Sequence, residues 1–326
     1  MAIIKDLLLI GVGIAILIYS SDTLIKWAVS IAQKLGISPL MIGLTIVAFG
    51  TSAPELAINL ISAFASHTEL ALSNVLGSNI ANTLLILGLT ALIYPINVKK
   101  GLVRKEIPFN FVITIILALL ILDKRAWYPS NIITRLDAGV LLSLFSIYFM
   151  YLIYQFLKEW NHSSSKPTNT YSLPISLILI VLGVIGLTIG GKMIVNWASH
   201  LAQLLSIPSE VIWATIIAIG TSLPELAVAI TAALKKQADI AIGNIIGSNI
   251  FNILWILGVT WVVYPLPAYN MIEIDLAIAL LGALLIFAFS FWFGRFKITR
   301  IEWAVLLIIY LWYIGFLVAK SLGYFS

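Results

Sequence analysis

Long apolar runs separated by short polar connections fill this chain from end to end. A membrane-crossing helix needs about 20 apolar residues. Ten runs are of that order: 6–34, 38–66, 70–94, 106–122, 134–157, 174–204, 208–234, 239–263, 271–293 and 299–320. The first and sixth are long enough to tilt strongly. The longest polar connection runs from Lys158 to Ser172 and leaves five runs on each side. The expected organisation is an N-terminal five-helix unit (1–157), a short cytoplasmic linker (158–173) and a C-terminal five-helix unit (174–326). The expected fold class is an all-α membrane protein of ten helices.

The two units are copies. At an offset of 170, Thr45–Ala57 matches Thr215–Ala227 at ten of thirteen positions, and Asn74–Pro95 matches Asn244–Pro265 at thirteen of twenty-two. Shared apolar composition gives scattered Leu and Ile matches. It does not give paired Gly, Thr, Ser, Pro, Glu and Asn. Five spans is an odd number, so the second copy enters the membrane from the opposite side, and the repeats are inverted.

Composition agrees with the pattern. The chain is 61% hydrophobic and 10% charged, with mean hydropathy +1.07, against about 25% charged in an average soluble domain. The net charge of +5 sits in the connections, which favours membrane topology over nucleic-acid binding. Twelve Lys and Arg, including Lys34, Arg104, Lys158 and Lys235, fall on one side of the ten-span layout, and five fall on the other. The positive-inside rule puts the twelve in the cytoplasm and both termini outside. The plasma (inner) membrane is the expected location, with the first run retained as a span. The chain has no Cys and three His, which excludes thiolate chemistry and disfavours a zinc site. The ten Trp read mostly as interfacial anchors.

Candidate chemistry lies in the second run, at Gly50-Thr51-Ser52-Ala53-Pro54-Glu55, and in the seventh, at Gly220-Thr221-Ser222-Leu223-Pro224-Glu225. Thr51 and Glu55 share a helix face, with Ser52 beside them. Pro54 has no N–H and removes the donor from the Gly50 carbonyl. Backbone oxygens near Ala48, and equally near Ala218, are therefore expected to turn toward a ligand. Hard cations take carboxylate, hydroxyl, amide and carbonyl oxygens, and each segment supplies these within about two turns. The third run adds Asn74, Ser78 and Asn82 on one face; the eighth adds Asn244, Ser248 and Asn252. Gly77 and Gly247 are expected to let these helices approach closely. Each feature has a plainer reading: a proline can be a mere kink, and hydroxyls bond back to their own helix. Asparagines can be interhelical glue. A mid-membrane Glu costs roughly 2.5–3.5 kcal/mol on insertion scales, and two in matched contexts point to a site. Asp22 and Lys192 occupy equivalent repeat positions with opposite charge and are expected near a membrane boundary. Glu69 and Asp239, also equivalent, are expected to favour helix N-termini.

At these motifs the chain resembles the sodium/calcium exchangers of the cation/calcium antiporter superfamily, in the compact form of its prokaryotic members. The resemblance covers essentially the whole chain. It implies ten spans in two inverted repeats, with spans 2, 3, 7 and 8 broken around a central ion site. It implies no cofactor and no enzymatic chemistry, with Ca²⁺ and Na⁺ as transported ions. Glu55 and Glu225 are then the carboxylates on Ca²⁺. Thr51, Ser52, Thr221 and Ser222, with the carbonyls of Ala48 and Ala218, help to bind Na⁺. Ser78 and Ser248 complete outer and inner Na⁺ positions, and Asn82 and Asn252 sit centrally. Exchange of roughly three Na⁺ for one Ca²⁺, by spans 1 and 6 sliding across a fixed core, is the family norm. One departure stands out: many sodium-dependent members carry Asp where this chain has Asn252. Two carboxylates balance one Ca²⁺ or two Na⁺, so the stoichiometry is expected to differ. A monomer in lipid suffices on this reading. A proton-coupled cation exchanger of the same fold, and a cation channel lined by the same oxygens, are the rival expectations.

Overall fold

A computed structural model describes residues 2–64, 68–94, 100–122, 132–162, 172–212, 215–216, 218–264, 266–267, 271–292 and 300–324. The central part of the expected linker, 163–171, lies outside them, as does the side chain of Glu69. The helices are α1 (Ala2–Leu35), α2 (Pro39–Thr51), α3 (Ala53–Phe64), α4 (Leu70–Ile93), α5 (Gly101–Leu122), α6 (Arg135–Asn161) and α7 (Leu173–Leu204). They continue with α8 (Ser209–Ile212), α9 (Ala218–Gly220) and α10 (Leu223–Leu234), then α11 (Ala238–Val263), α12 (Ile272–Phe291) and α13 (Ile301–Ser321). Among the described residues, eight helices are long and apolar enough to cross a membrane, and α2 with α3 makes a ninth. The expected seventh span corresponds to α8, α9 and α10. Its residues 213, 214 and 217 lie outside the described residues. Among the described residues outside the helices, β1 (Ile132–Ile133) forms an antiparallel bridge with β2 (Leu266–Pro267).

α2 and α3 meet at a bend of 41°. The break falls at Ser52, with φ −85° and ψ 4°, because Pro54 withholds an N–H from the preceding turn. The second copy repeats the geometry at Ser222, with φ −87° and ψ 5°, ahead of Pro224. The expected breaks in spans three and eight are not found: α4 and α11 run continuously. Neither contains a proline, so each absorbs the irregularity as a single wide, π-helical turn, at Ala81–Ile86 in α4 and Asn252–Ile256 in α11. Such turns recur at functional sites. These two sit at repeat-equivalent positions and involve the two candidate central asparagines.

α4 and α11 are the most enclosed helices, while α1 and α6 present most of their length outward. Small residues bring the elements together. A Cβ on Gly247 would stand 2.8 Å from Ala48 Cβ, so α11 lies directly against α2. Gly77 has nothing within 4 Å among the described residues. Its equivalent neighbours are Ala214, outside the described residues, and Ala218. α1 and α7 cross in the same intimate way: a Cβ on Gly190 would stand 2.9 Å from Gly13 O. Near one end of this pair, buried Asp6 lies 2.7 Å from His200 Nδ1. Two tryptophans are not interfacial: Trp261 and Trp303 are wholly buried in the core. Asp239 falls in the first turn of its helix, as expected.

Candidate ion site

Glu55 and Glu225 stand in the first turns of α3 and α10, where helix N-termini favour negative charge. Both are fully buried. Ser52, at the break before α3, donates to Glu225 Oε1 at 3.3 Å, crossing from one copy to the other. Ser248 reaches the same oxygen at 3.5 Å. Glu225 Oε2 and both oxygens of Glu55 have no hydrogen-bond partner among the described residues. The hydroxyls of Ser78 and Thr221 lie beside Glu55 and pair with each other at 3.1 Å. Thr51 Oγ1 is 3.0 Å from Asn244 Oδ1 and 3.4 Å from Ser248 Oγ. The two halves are thus related but not identical. On the Glu225 side hydroxyls bond the carboxylate, whereas on the Glu55 side they lie beside it and pair with each other.

Asparagines from α4 and α11 form a lattice between the copies. Asn82 Nδ2 donates to Asn249 Oδ1 at 3.1 Å, and Asn252 Nδ2 donates to Asn79 Oδ1 at 2.9 Å. Asn79 Nδ2 donates to the Asn249 carbonyl at 3.2 Å. Asn249 Nδ2 donates to Thr83 Oγ1 at 2.8 Å. Each central asparagine spends an amide hydrogen on its neighbour, and its Oδ1 is left buried without a partner. Buried polar groups are nearly always satisfied. Among the described residues, five acceptor oxygens on Glu55, Glu225, Asn82 and Asn252 are left without partners, and oxygens of these kinds suit a hard cation.

The sequence-predicted residues are therefore brought together, with corrections. The Ala48 carbonyl is not freed from the helix: it accepts Ser52 N–H at 3.0 Å and lies 3.3 Å from Thr51 Oγ1. The proline acts two residues later, so the helical bond to Ala48 survives. In the second copy Ser222 N–H goes to Ile219 O at 3.0 Å, and Ala218 opens α9. Ser222 Oγ is buried without a partner and does not repeat the Ser52–Glu225 bond. Asn244 was expected to serve as a ligand, and Asn79 and Asn249 flank the expected ligands Ser78 and Ser248. They act instead by orienting Thr51, Asn82 and Asn252. Their identity across the repeats was the available signal. Thr83 gave none, since its counterpart is Ile253.

A cavity of about 260 Å³ reaches this region from one side, between α3 and α7, with Pro54, Ile58, Lys192, Asn196 and Thr221 among its walls. The equivalent place in the other half, between α10 and α1, is sealed. Ser21 Oγ and Thr231 Oγ1 pair at 2.8 Å, and Lys235 Nζ lies 2.5 Å from Asp22 Oδ1. The expected boundary position of Asp22 resolves into this ion pair. The counterparts of the four sealing residues are Gly191, Ile61, Lys192 and Ala65, which offer no such bond and no such ion pair.

Comparison with known proteins agrees with this architecture. The family described as sodium/calcium exchanger protein matches residues 5–156 and 175–319. The sodium/calcium exchanger MaX1 of Methanosarcina acetivorans is 32% identical, over 96% of this chain and 97% of its own length. The inner membrane protein YrbG of Escherichia coli K12 is 34% identical over 79% of each chain. The solved structure of the sodium-calcium exchanger NCX_Mj, soaked with Na⁺ and Sr²⁺, superposes with a TM-score of 0.81 at 32% identity, covering 96% of this chain and 98% of that one. The chain belongs to the sodium/calcium exchanger family and is a multi-pass membrane antiporter rather than an enzyme.

Proposed function

We propose that this chain exchanges Na⁺ for Ca²⁺ by alternating access at a single site built from both copies. On this reading ten spans form two inverted five-helix repeats, 1–157 and 174–326, joined by a cytoplasmic linker at 158–173. Glu55 and Glu225 carry the charge that holds Ca²⁺. Thr51, Ser52, Thr221, Ser222, Ser78 and Ser248 supply hydroxyls for Na⁺. Asn82 and Asn252 face the centre with Oδ1. A monomer in the plasma (inner) membrane, both termini outside, performs the cycle, and no cofactor takes part.

The observation that carries this reading is the set of orphaned acceptors, Glu55 Oε1 and Oε2, Glu225 Oε2, Asn82 Oδ1 and Asn252 Oδ1. Unpaired buried carboxylates are costly, and a bound cation removes that cost. The same set bears on stoichiometry. Both central asparagines offer neutral oxygen, so the site charge is −2, which one Ca²⁺ or two Na⁺ neutralise. A third Na⁺ leaves an excess charge in a desolvated site, which is costly. Exchange of two Na⁺ per Ca²⁺, without net charge movement, follows. Recording current and Ca²⁺ flux together in proteoliposomes tests it. Flux without current supports the count, and one charge moved per Ca²⁺ overturns it.

A further inference from the structure

Lys192 is left over from the site just described, yet it lines the cavity that reaches toward that site from one side. It projects from α7 into the cavity between α3 and α7, whose inner wall includes Thr221. Thr221 in turn pairs with Ser78, and both hydroxyls lie beside Glu55. Of the residues that line this cavity, Lys192 is the one that carries a charge. It is exposed and has no ion-pair or hydrogen-bond partner among the described residues. Its repeat counterpart Asp22 has the opposite sign and is neutralised by Lys235 at 2.5 Å. The two ends of the ion path are therefore electrostatically unlike: one holds a free ammonium, the other a closed ion pair.

We infer that Lys192 is a specificity-determining residue, whose ammonium at the mouth of the α3–α7 cavity disfavours divalent relative to monovalent cations entering from that side. The inference rests on the proposed site, since the cavity matters only if ions travel through it toward Thr221 and Glu55. The physics is the charge dependence of local concentration. A mouth held at a positive potential depletes a monovalent cation by some factor, and it depletes a divalent cation by that factor squared. Narrow, low-dielectric walls focus such fields, and bulk salt screens them. The result is a face that admits Na⁺ in preference to Ca²⁺. An outward-lying Lys192 of this kind would suit a protein that takes Na⁺ from outside and releases Ca²⁺ there.

The test measures half-saturation for Ca²⁺ and for Na⁺ on this face, in proteoliposomes of one orientation, for the parent, Lys192→Arg and Lys192→Gln. Removing one charge at a mouth of this kind is expected to change local monovalent concentration about threefold. Lys192→Gln then lowers the Na⁺ value about threefold and the Ca²⁺ value about ninefold, the logarithmic shift for Ca²⁺ being twice that for Na⁺. Lys192→Arg matches the parent, maximal rates are unchanged, and about 1 M choline chloride collapses both shifts. Three results overturn the inference: no shift for either ion, equal shifts for both, or a shift in Lys192→Arg as large as that in Lys192→Gln. Failure of the site itself reads separately. If Thr221→Val and Glu55→Gln transport normally, the site assignment is wrong, whereas unchanged values in Lys192→Gln with Glu55→Gln inactive remove the mouth alone.

Discussion

Asn82 Nδ2 donates to Asn249 Oδ1 at 3.1 Å, and this bond fixes which end of Asn82 remains for an ion. With the amide hydrogen engaged, Oδ1 is the atom left buried without a partner among the described residues. The Asn252–Asn79 bond at 2.9 Å does the same from the other copy. Groups that orient metal ligands typically account for 10–100-fold in affinity. Asn249→Ala and Asn79→Ala are therefore expected to raise the Ca²⁺ half-saturation about 10-fold or more while the protein remains folded. Isothermal titration beside a thermal melt checks this. Unchanged affinity in both variants would remove the orienting role.

The two carboxylates should respond differently when no ion is bound. Glu225 Oε1 is met by Ser52 and Ser248, whereas neither oxygen of Glu55 has a partner. A buried unpaired charge is among the few features whose removal moves stability strongly. In Ca²⁺-free and Na⁺-free detergent, Glu55→Gln should raise the melting temperature, by more than Glu225→Gln does. In both variants added Ca²⁺ should lose its stabilising effect. Melting curves with and without Ca²⁺ decide it; a parent-like Ca²⁺ response in either variant contradicts the assignment.

Acid should inhibit. The carboxylates of Glu55 and Glu225 hold a cation only when ionised, so protons compete with Ca²⁺ for the same oxygens. Exchange should fall as pH drops, and the midpoint of inhibition should move to lower pH as Ca²⁺ is raised. Initial rates across a pH series at several Ca²⁺ concentrations measure the shift. A midpoint indifferent to Ca²⁺ would place the titrating group elsewhere.

On the proposed cycle, the contacts between α1 and α10 hold that side closed. Asp22 and Lys235 are both partly exposed, and pairs of that kind contribute about 0.2–1 kcal/mol. Lys235→Gln should therefore shift the balance toward opening on that side by about 1.4- to fivefold. The double variant Asp22→Lys with Lys235→Asp should restore it. The absence of native Cys lets a single cysteine placed at Thr231 report accessibility to a thiol reagent. Equal labelling rates in parent, single and double variants would show that the pair does not hold the seal.

Much of this was legible in the sequence, for identifiable reasons. Proline marks its own neighbourhood, so a disturbance close to Pro54 and Pro224 was expected, although the non-helical residues proved to be Ser52 and Ser222. Duplication made Glu55 and Glu225 stand out against an apolar background. The wide turns at Ala81–Ile86 and Asn252–Ile256 had no such marker. A one-residue shift in a helix's bonding ladder requires no special side chain, so spans three and eight were expected to break and instead bulge. The amide lattice was also hidden, because helical spacing gives the face a residue lies on but not which end of its amide points inward. The unlike ends of the ion path emerged only from packing. Asp22 and Lys192 are a charge reversal in the sequence. Only the structure reveals that one is neutralised by Lys235 while the other stands free in a cavity.

The most direct test of the account is Ca²⁺ movement into proteoliposomes, driven first by a Na⁺ gradient and then by a pH gradient, for the parent, Glu55→Gln and Glu225→Gln. The account predicts uptake by the parent under the Na⁺ gradient, none under the pH gradient alone, and loss of uptake in both variants. Uptake that follows the pH gradient, or that persists in either variant, would contradict it.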